Sequence, residues 1–435
     1  MKKYLPLIFA EVYLISTILV FFFGPINYRV DNLFLFTLYI FFYHFAYISG
    51  YVLSINYFNF KNKISFKNKT VNNEKMHFKL LILFSFLAFL IAHKNLNMSE
   101  DLIPVNFFGD LINGINDSSL MYSERMKRID EFEGGKLLNI LYFFIAFTKV
   151  ILIPTIVFYW KKLTFWYKFL MISISLLSVF SGISAGVNKL LFDFVILLST
   201  SCALLGIYNY YQGTFLSKKI VWLLAIISVF LLFFAFWFFA EAMIGRTGSL
   251  MYVEGTSPLG DIKLKQAYVD SDSIISYLYV YLSYYIAQGY YGFSQALNTD
   301  FVWTYGLGSS EFLSRQVFWV FGYDFSVDTF QHRIDSIWGE KAQWHSFYSH
   351  LANDFHFIGV IFVNSFLGFY LAAVWKSFIY NNNFYAKYLL PLFVIMIIFT
   401  PANNQVFGFL ETFSAFVILS IFWYKSVKLT LISKK

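Results

Sequence analysis

Long apolar runs alternate with short polar segments along almost the whole chain. Ten runs are long enough, or nearly so, to cross about 30 Å of hydrocarbon as helices. They lie near 5–23, 33–55, 78–93, 138–160, 168–181, 189–210, 220–241, 355–375, 386–400 and 405–424. The pattern predicts an all-α, polytopic membrane protein with about ten transmembrane helices.

The lysines indicate how these helices are oriented. If the N-terminus is cytoplasmic, the cytoplasmic pieces are Lys2, Lys3, the loops 56–77, 161–168, 212–219 and 376–387, and the tail from Lys425. These pieces hold 18 lysines and a single acidic residue, Glu74. The opposite loops carry more acids than bases, so the distribution follows the positive-inside rule. It predicts cytoplasmic N- and C-termini.

Two predicted outer segments are large. Segment 94–137 holds eight acids and five bases, and segment 242–353 holds ten acids and six bases. The second contains the tyrosine-rich run Ile274 to Leu297, and crossing there would reverse the lysine pattern. We therefore expect an amphipathic or re-entrant helix at the outer interface. The topology divides the chain into helices 1–7 (1–241), a large periplasmic loop (242–353), and helices 8–10 with a cytoplasmic tail (354–435).

Composition agrees with a membrane protein. Hydrophobic residues make up 58% of the chain and charged residues 13%, about half the charge of an ordinary soluble domain. The net charge of +8 comes from scattered lysine clusters, which does not suit a nucleic-acid-binding face. The single cysteine, Cys202, excludes an intramolecular disulfide framework. The apolar N-terminus lacks a small-residue cleavage site, so we expect an uncleaved first helix.

All six arginines fall on the predicted outer side, and topology alone does not require this. Arginine can hold phosphate or carboxylate with two parallel hydrogen bonds. Arg246 directly follows a predicted span, where a lipid headgroup would emerge, and Arg315 and Arg333 lie further along the same loop. The alternative is that each arginine pairs with an acid of the same loop. For Arg128, the neighbours Glu124 and Asp130 are obvious partners.

Polar and aromatic groups concentrate in the segment QWHSFYSHLANDFH at 343–356. An imidazole or carboxylate at the wet end of a helix suits a general base for transfer to a sugar hydroxyl. His345, His350 and Asp354 are therefore candidates, although Asp354 could equally cap a helix. The histidine spacing matches no familiar zinc site, and no cofactor is expected.

Flat aromatic faces and amides could recognise sugars in the same region. Trp303, Trp319, Trp338 and Trp344 could stack on pyranose rings or anchor at the membrane interface. Asn404, in an amide-rich turn, could donate to sugar hydroxyls or cap the last helix. Ionisable residues inside spans include Glu11 and His44, and also Lys189 with Asp193, which are four apart and can pair on one helical face.

Four segments resemble the bacterial oligosaccharide repeat unit polymerases, the O-antigen polymerase family called Wzy. They are SYYIAQGYYGFSQALN (283–298, with Tyr291), WTYGLGSS (303–310), QWHSFYSHLANDFHFIG (343–359) and TPANNQVFGFLETF (400–413). In the family a glycine tends to follow the Asp-Phe pair, whereas this chain has His356.

The resemblance implies glycosyl transfer on the periplasmic face of the inner membrane. Both donor and acceptor would be undecaprenyl-pyrophosphate-linked oligosaccharides, and a chain-length regulator protein would be a partner besides membrane lipid. The arginine that the family uses for pyrophosphate maps to Arg246, with Arg315 or Arg333 helping. His345 or Asp354 would accept the hydroxyl proton, while Tyr291, Trp344, His350 and Asn404 would bind substrate. An O-antigen ligase and a lipid-linked oligosaccharide flippase or other transporter are the alternatives.

Overall fold

The computed structural model describes residues 2–57, 74–128, 135–213, 218–269, 271 and 273–432. Most of the predicted cytoplasmic loop 56–77 and the end of the tail lie outside the described residues. The helices are α1 Leu5–Phe23, α2 Leu33–Tyr57, α3 Glu74–Asn97, α4 Phe107–Asn116, α5 Ser118–Arg128, α6 Lys136–Ile145, α7 Phe147–Tyr159, α8 Phe165–Ser184, α9 Lys189–Tyr211, α10 Lys218–Thr247, α11 Gln266–Val269, α12 Ile274–Ala296, α13 Glu311–Phe321, α14 Phe330–Arg333, α15 Phe347–Asn381, α16 Phe384–Phe399 and α17 Leu410–Ile432.

The described residues contain nine helices long and apolar enough to cross a membrane. These are Lys2–Phe23, Leu33–Tyr57, Lys75–Asn97, Leu137–Tyr159, Phe165–Ser184, Lys189–Tyr211, Val229–Thr247, Phe347–Asn381 and Leu410–Val427. A tenth apolar helix, Phe384–Phe399, is shorter. The predicted all-α, polytopic membrane fold is confirmed, and these ten helices overlap the ten predicted runs with shifted ends.

The chain folds as two compact units. Unit 1 comprises Met1–Lys63, Thr247–Tyr380 and Phe393–Phe409, and unit 2 comprises Ile64–Arg246, Asn381–Leu392 and Leu410–Lys435. Both units draw on more than one of the three segments that the topology predicts. The predicted division into three segments therefore describes the order of the elements along the chain. As a division into domains it stays a prediction.

Helix α12 forms the centre of unit 1. It begins at Ser273, whose hydroxyl accepts a hydrogen bond from the Ser276 N–H at 3.1 Å. Every residue from 287 to 296 is buried, and the hydroxyls of Tyr290 and Thr17 of α1 are 3.0 Å apart. The second half of α12 is thus enclosed by protein, as a re-entrant helix requires, whereas Ile275 near its start is 75% exposed.

A two-stranded antiparallel ribbon closes one side of unit 1. Strand β1, Ile26–Tyr28, follows α1 and pairs with β2, Ile262–Leu264, with Ile26 opposite Leu264. Ile26, Ile262 and Leu264 of this pairing are buried, while Lys263 at its centre is exposed. The ribbon fastens the start of the large loop to the end of the first span.

In unit 2, short helix α4 packs along α8 rather than extending into solvent. Phe107 lies in an apolar cluster with Phe89, Leu152 and Met171, which belong to candidate spans. Gly114 allows the opposite end of α4 to touch α8, because an added Cβ would lie 2.2 Å from the Ile183 carbonyl oxygen. Part of the predicted outer segment 94–137 is therefore packed among the spans.

Candidate functional site in unit 1

The four segments that carry the family resemblance contact one another in unit 1, which includes the fourth segment as far as Phe409. The Ser346 N–H donates to the Gly289 carbonyl at 3.3 Å, and the Phe347 N–H donates to the Thr400 carbonyl at 2.9 Å. The Asn404 amide donates to the Ser309 carbonyl at 2.6 Å. These contacts join segments that are up to a hundred residues apart in the chain.

Two glycines of α12 make this meeting possible. A Cβ at Gly289 would lie 2.3 Å from the Pro401 carbonyl oxygen, and one at Gly292 would lie 2.8 Å from Trp338. Both distances are far below van der Waals contact, so no side chain fits without moving the neighbouring backbone or ring. The glycines of SYYIAQGYYGFSQALN therefore serve close packing.

Asp354, on α15, holds the loop 304–309. Its carboxylate accepts hydrogen bonds from the Gly306 N–H at 2.8 Å, the Gly308 N–H at 3.2 Å and the Ser309 N–H at 2.7 Å. The Thr304 hydroxyl donates to it as well. Asp354 is only 7% exposed, so this carboxylate is occupied by the loop. The structure makes it an anchor of the loop, and its predicted role as a proton acceptor stays a prediction.

The neighbouring Asn353 holds a second segment against the same point of α15. Its side-chain oxygen accepts from the Phe330 N–H at 2.9 Å. Its amide nitrogen donates to the Gly308 carbonyl at 2.9 Å and to the Gln331 side chain at 2.8 Å. Two adjacent side chains of one helix thus fix both the 304–309 loop and the start of α14.

Four aromatic side chains in or near the anchored loop contact one another, and we call them the aromatic surface: Trp303, Tyr305, Tyr323 and Phe325. The first three are exposed and Phe325 is half-buried. The ring centroids of Trp303 and Tyr305 are 4.6 Å apart, and those of Tyr323 and Phe325 are 4.3 Å apart. Tyr305 and Phe325 are 5.9 Å apart, which makes the set continuous. Trp303 and Tyr305 are 54% and 64% exposed. Of the four tryptophans predicted to stack on sugars, Trp303 is exposed, Trp319 and Trp344 are half-buried, and Trp338 is buried.

Tyr305 adopts a backbone conformation that side chains rarely tolerate. Its φ is +56°, and the following Gly306 also has a positive φ, of +85°. A non-glycine residue in this region costs on the order of 1 kcal/mol or more, and such residues cluster at functional sites. The hydrogen bonds of Asp354 to the next residues supply the restraint that keeps Tyr305 in place.

His332 and Glu340, which follow the aromatic surface in the sequence, form a partly exposed imidazole–carboxylate pair. His332 Nδ1 and Glu340 Oε2 are 2.9 Å apart, and the two side chains are 46% and 25% exposed. The Glu340 N–H donates to the Asp335 carboxylate at 2.6 Å, which fixes the turn. Neither His332 nor Glu340 was a predicted site residue, because their pairing depends on a turn that no spacing rule predicts.

The other predicted histidines are packed inside. His345 is 2% exposed, and neither ring nitrogen makes a regular hydrogen bond within the described residues. Burial lowers the pKa of His345 to about 3, with a further lowering from His350 and a small opposing contribution from the Gly339 carbonyl. The His345 and His350 ring centroids are 6.4 Å apart. A general base needs a pKa near the working pH and access to substrate, and His345 has neither here.

Three predicted substrate-binding residues also serve packing. Tyr291 is fully buried, with its ring 4.9 Å from Trp338 and its hydroxyl 3.2 Å from that of Ser257. Trp344 stands edge-on to Tyr285 at 4.6 Å. Asn404 uses its amide nitrogen for Ser309 and its oxygen for the Phe407 N–H, at 3.0 Å. Their roles in binding stay predictions, but their polar atoms and rings already have partners.

The arginines divide into two kinds. Arg29, Arg128 and Arg315 pair with carboxylates, and Arg315 lies 2.6 Å from Glu311 on exposed α13. The expected alternative, pairing with acids of the same loop, therefore holds for these three. Arg333 instead donates to the Asp300 backbone carbonyl. A carbonyl has no net charge, so this contact positions the guanidinium without neutralising it.

His356 interrupts α15. Its φ of 56° and ψ of 162° lie in a region populated almost only by glycine, although helix continues on both sides. This is the position at which the resembling family usually carries glycine. The His356 ring stands edge-on to Phe301 at 5.1 Å, and this contact is available to imidazole and not to glycine.

Arg246 belongs to unit 2 and lies in the last turn of α10. It was predicted to follow the span directly, but it lies inside the candidate span Val229–Thr247 because the helix continues past Glu241. Arg246 donates to the Gly186 carbonyl, and its guanidinium carbon lies 4.3 Å above the Tyr122 ring. Its Nε is buried and has no hydrogen-bond partner among the described residues. The guanidinium is therefore oriented by a ring and a carbonyl while one of its donors is unused.

Further charges of unit 2 are paired within its spans. The predicted pair Lys189–Asp193 is confirmed, with nitrogen and oxygen 2.5 Å apart. Lys149 and Glu411 are 2.9 Å apart, and the Tyr142 hydroxyl also donates to Glu411. Within the ranges that the structure covers, no group of three or more His, Cys, Asp and Glu side chains is placed to hold a metal ion.

No family model, no curated protein and no solved structure matches this chain.

Proposed function

We propose that the protein joins undecaprenyl-pyrophosphate-linked oligosaccharide repeat units by glycosyl transfer on the periplasmic face of the bacterial inner membrane. The product would be an O-antigen or a related surface polysaccharide. The observation that carries the proposal is the aromatic surface, whose exposed Tyr305 lies in a loop that Asn353 and Asp354 hold by hydrogen bonds. It lies outside the helices that are apolar enough to span a membrane.

The aromatic surface suits a glycan because pyranose rings present apolar C–H faces that pack on flat aromatic rings. The Trp303 and Tyr305 rings offer such faces side by side, and aromatic side chains give large contact areas for little rotational freedom lost. A preformed surface lowers the entropy cost of binding. The hydrogen bonds that fix loop 304–309 therefore support sugar recognition indirectly.

Cationic groups would stabilise the leaving lipid pyrophosphate. In the proposed reaction an acceptor hydroxyl oxygen forms a bond to the donor's anomeric carbon. The bond from that carbon to the pyrophosphate oxygen breaks, and its electron pair leaves with the pyrophosphate. Arg333, held by a neutral carbonyl, keeps the charge that this step requires. Arg315 shares its charge with Glu311 and is the weaker candidate.

For Arg246, the resemblance implies that the side chain binds the pyrophosphate. This role stays a prediction and is tested separately from that of Arg333. The unused Nε of Arg246 and its stacking on Tyr122 support a place where an anion can be held. Arg246→Lys preserves the charge and removes the planar fork. If this variant makes full-length polymer at normal expression, the two-point contact is wrong.

His332 is the base that the geometry supports best for the hydroxyl proton. Its Nδ1 faces Glu340, which would leave Nε2 to accept a proton and would stabilise the imidazolium that forms. His332→Gln should lower the rate by about 10²-fold or more. His345→Gln serves as the comparison, because the buried His345 should matter for stability and little for proton transfer.

The lipopolysaccharide banding pattern of a deletion strain tests the function. Loss of a polymerase leaves core carrying a single repeat unit, loss of a ligase leaves core carrying none, and a flippase defect also removes the single repeat. Complementation with Trp303→Ala and Tyr305→Ala together should shorten or abolish the ladder. Phe321→Ala, which removes a 77% exposed aromatic side chain of α13 outside the aromatic surface, should leave it unchanged. A core without any repeat in the deletion strain would reject the polymerase.

A further inference from the structure

A second polar site lies within the candidate spans of unit 1. Glu11 of α1 and His44 of α2 form a pair in which Oε2 and Nδ1 are 2.7 Å apart. Their side chains are 13% and 12% exposed. Ionisable residues are costly within a membrane-spanning helix and usually have a function there.

Three polar atoms of this site have no hydrogen-bond partner among the described residues. They are Glu11 Oε1, His44 Nε2 and the Tyr47 hydroxyl, and all are buried. An unpaired buried polar atom costs about 1–3 kcal/mol, so three in one place need an explanation.

A cavity joins the three residues. Glu11, His44 and Tyr47 all line it, together with Asn364 of α15 and an otherwise largely apolar wall. The volume that the centre of a water molecule can occupy in this cavity is about 20 Å³. About 10–15 Å³ measured in this way is enough to hold one water. The size and the unpaired atoms fit a single water molecule.

We propose that this cavity is a proton-binding site, in which Glu11 and His44, with one bound water reaching Tyr47, reversibly hold one proton. With that proton the pair is a carboxylate and an imidazolium with no net charge. Releasing the proton leaves a carboxylate and a neutral imidazole, with one negative charge. No bond other than that to the proton is made or broken.

The surroundings favour the proton-bound state. The described residues that line the cavity include no lysine or arginine, so no other cation compensates Glu11 there. Tyr43 lines the cavity from α2 and Tyr348 from α15. Tyr290 of α12 also lies close enough to interact with the Glu11 charge. Tyrosines are neutral at physiological pH, which makes His44 the natural counter-ion.

Nitrogen-15 NMR of histidine-labelled full-length protein in lipid nanodiscs tests the proposal. The His44 resonances are assigned by their loss in His44→Gln. We expect the His44 resonances to report the reversible gain and loss of one proton as the pH is changed. Glu11→Gln keeps the size of the side chain and removes its charge, so it should weaken proton binding at His44 at least ten-fold.

The exposed His332–Glu340 pair provides a matched control with the same chemistry. Glu340→Gln should leave the pH dependence of the His44 resonances unchanged. Tyr47→Phe, which preserves the ion pair, should change the His44 midpoint by less than Glu11→Gln does. If His44 does not titrate between about pH 4 and about pH 10, or if its midpoint is the same in Glu11→Gln, the site holds water only and the proposal is overturned. Neither result bears on glycosyl transfer, which rests on other residues.

Discussion

Removing the Asp354 carboxylate should release loop 304–309 without unfolding the helices. The carboxylate accepts four hydrogen bonds, three of them from backbone N–H groups. A hydrogen bond to a charged group contributes about 1.5–3 kcal/mol, and a set sharing one acceptor is less than additive. We expect Asp354→Ala to cost about 4 kcal/mol locally. Asp354→Asn, which turns one acceptor into a donor facing the Ser309 N–H, should cost about 2 kcal/mol.

Hydrogen exchange measured by mass spectrometry reports these N–H groups directly, because Gly306, Gly308 and Ser309 fall in one short peptide. Every 1.4 kcal/mol is tenfold in an opening equilibrium. Exchange in 303–310 should therefore rise about 30-fold in Asp354→Asn and about 10³-fold in Asp354→Ala. Asp300→Asn, at an exposed position near the loop, should change nothing.

The same two variants distinguish whether Asp354 anchors the loop or accepts a proton in catalysis. If Asp354 anchors the loop, activity should fall in proportion to loop opening, and Asn should retain part of it. Unchanged exchange in 303–310 of Asp354→Ala would refute the anchor. Complete loss of activity in Asp354→Asn with an ordered loop would restore the catalytic role that the sequence predicted.

Three further predictions concern stability, read from thermal or denaturant unfolding of purified protein. His356→Gly should stabilise by about 1 kcal/mol, because relief of backbone strain exceeds the lost ring contact, and a lower melting temperature would contradict this. Gly289→Ala should destabilise the protein by about 2–3 kcal/mol through its clash with the Pro401 carbonyl. Gly255→Ala, with open space around it, should be neutral. Equal melting temperatures of these two variants would refute the close packing at Gly289. Since burial lowers the pKa of His345 to about 3, the unfolding free energy should be constant above pH 6.5 and fall by about 1.4 kcal/mol per unit from there towards pH 3. His345→Gln should flatten that slope, and an unchanged slope would show that another group causes it.

The sequence predicted the helices well because membrane crossing imposes length and hydropathy on each of them. The predicted run 5–23 matches Leu5–Phe23, and 189–210 nearly matches Lys189–Tyr211. The start of α15 at Phe347, eight residues before the predicted 355, was missed. Polar residues that anchor loops interrupt the apolar pattern there.

The candidate site was less predictable because polar residues look alike before their partners are known. Asp354 was singled out as a base or a cap, and it proves to bind a loop 45–50 residues away in the chain. His345 drew attention by its neighbours and is buried. His332 and Glu340 are eight residues apart, a spacing that belongs to no regular element, so only a folded turn reveals the pair.

Elongation of a lipid-linked repeat unit by the purified protein is the most direct test of the proposed glycosyl transfer. The full chain in nanodiscs without any ion gradient would be incubated with a synthetic undecaprenyl-pyrophosphate-linked repeat unit, and the products separated by size. We expect a ladder spaced by one repeat unit, which Trp303→Ala together with Tyr305→Ala shortens and Phe321→Ala leaves unchanged. Folded protein that moves the lipid-linked unit between leaflets but forms no longer product would contradict the proposal.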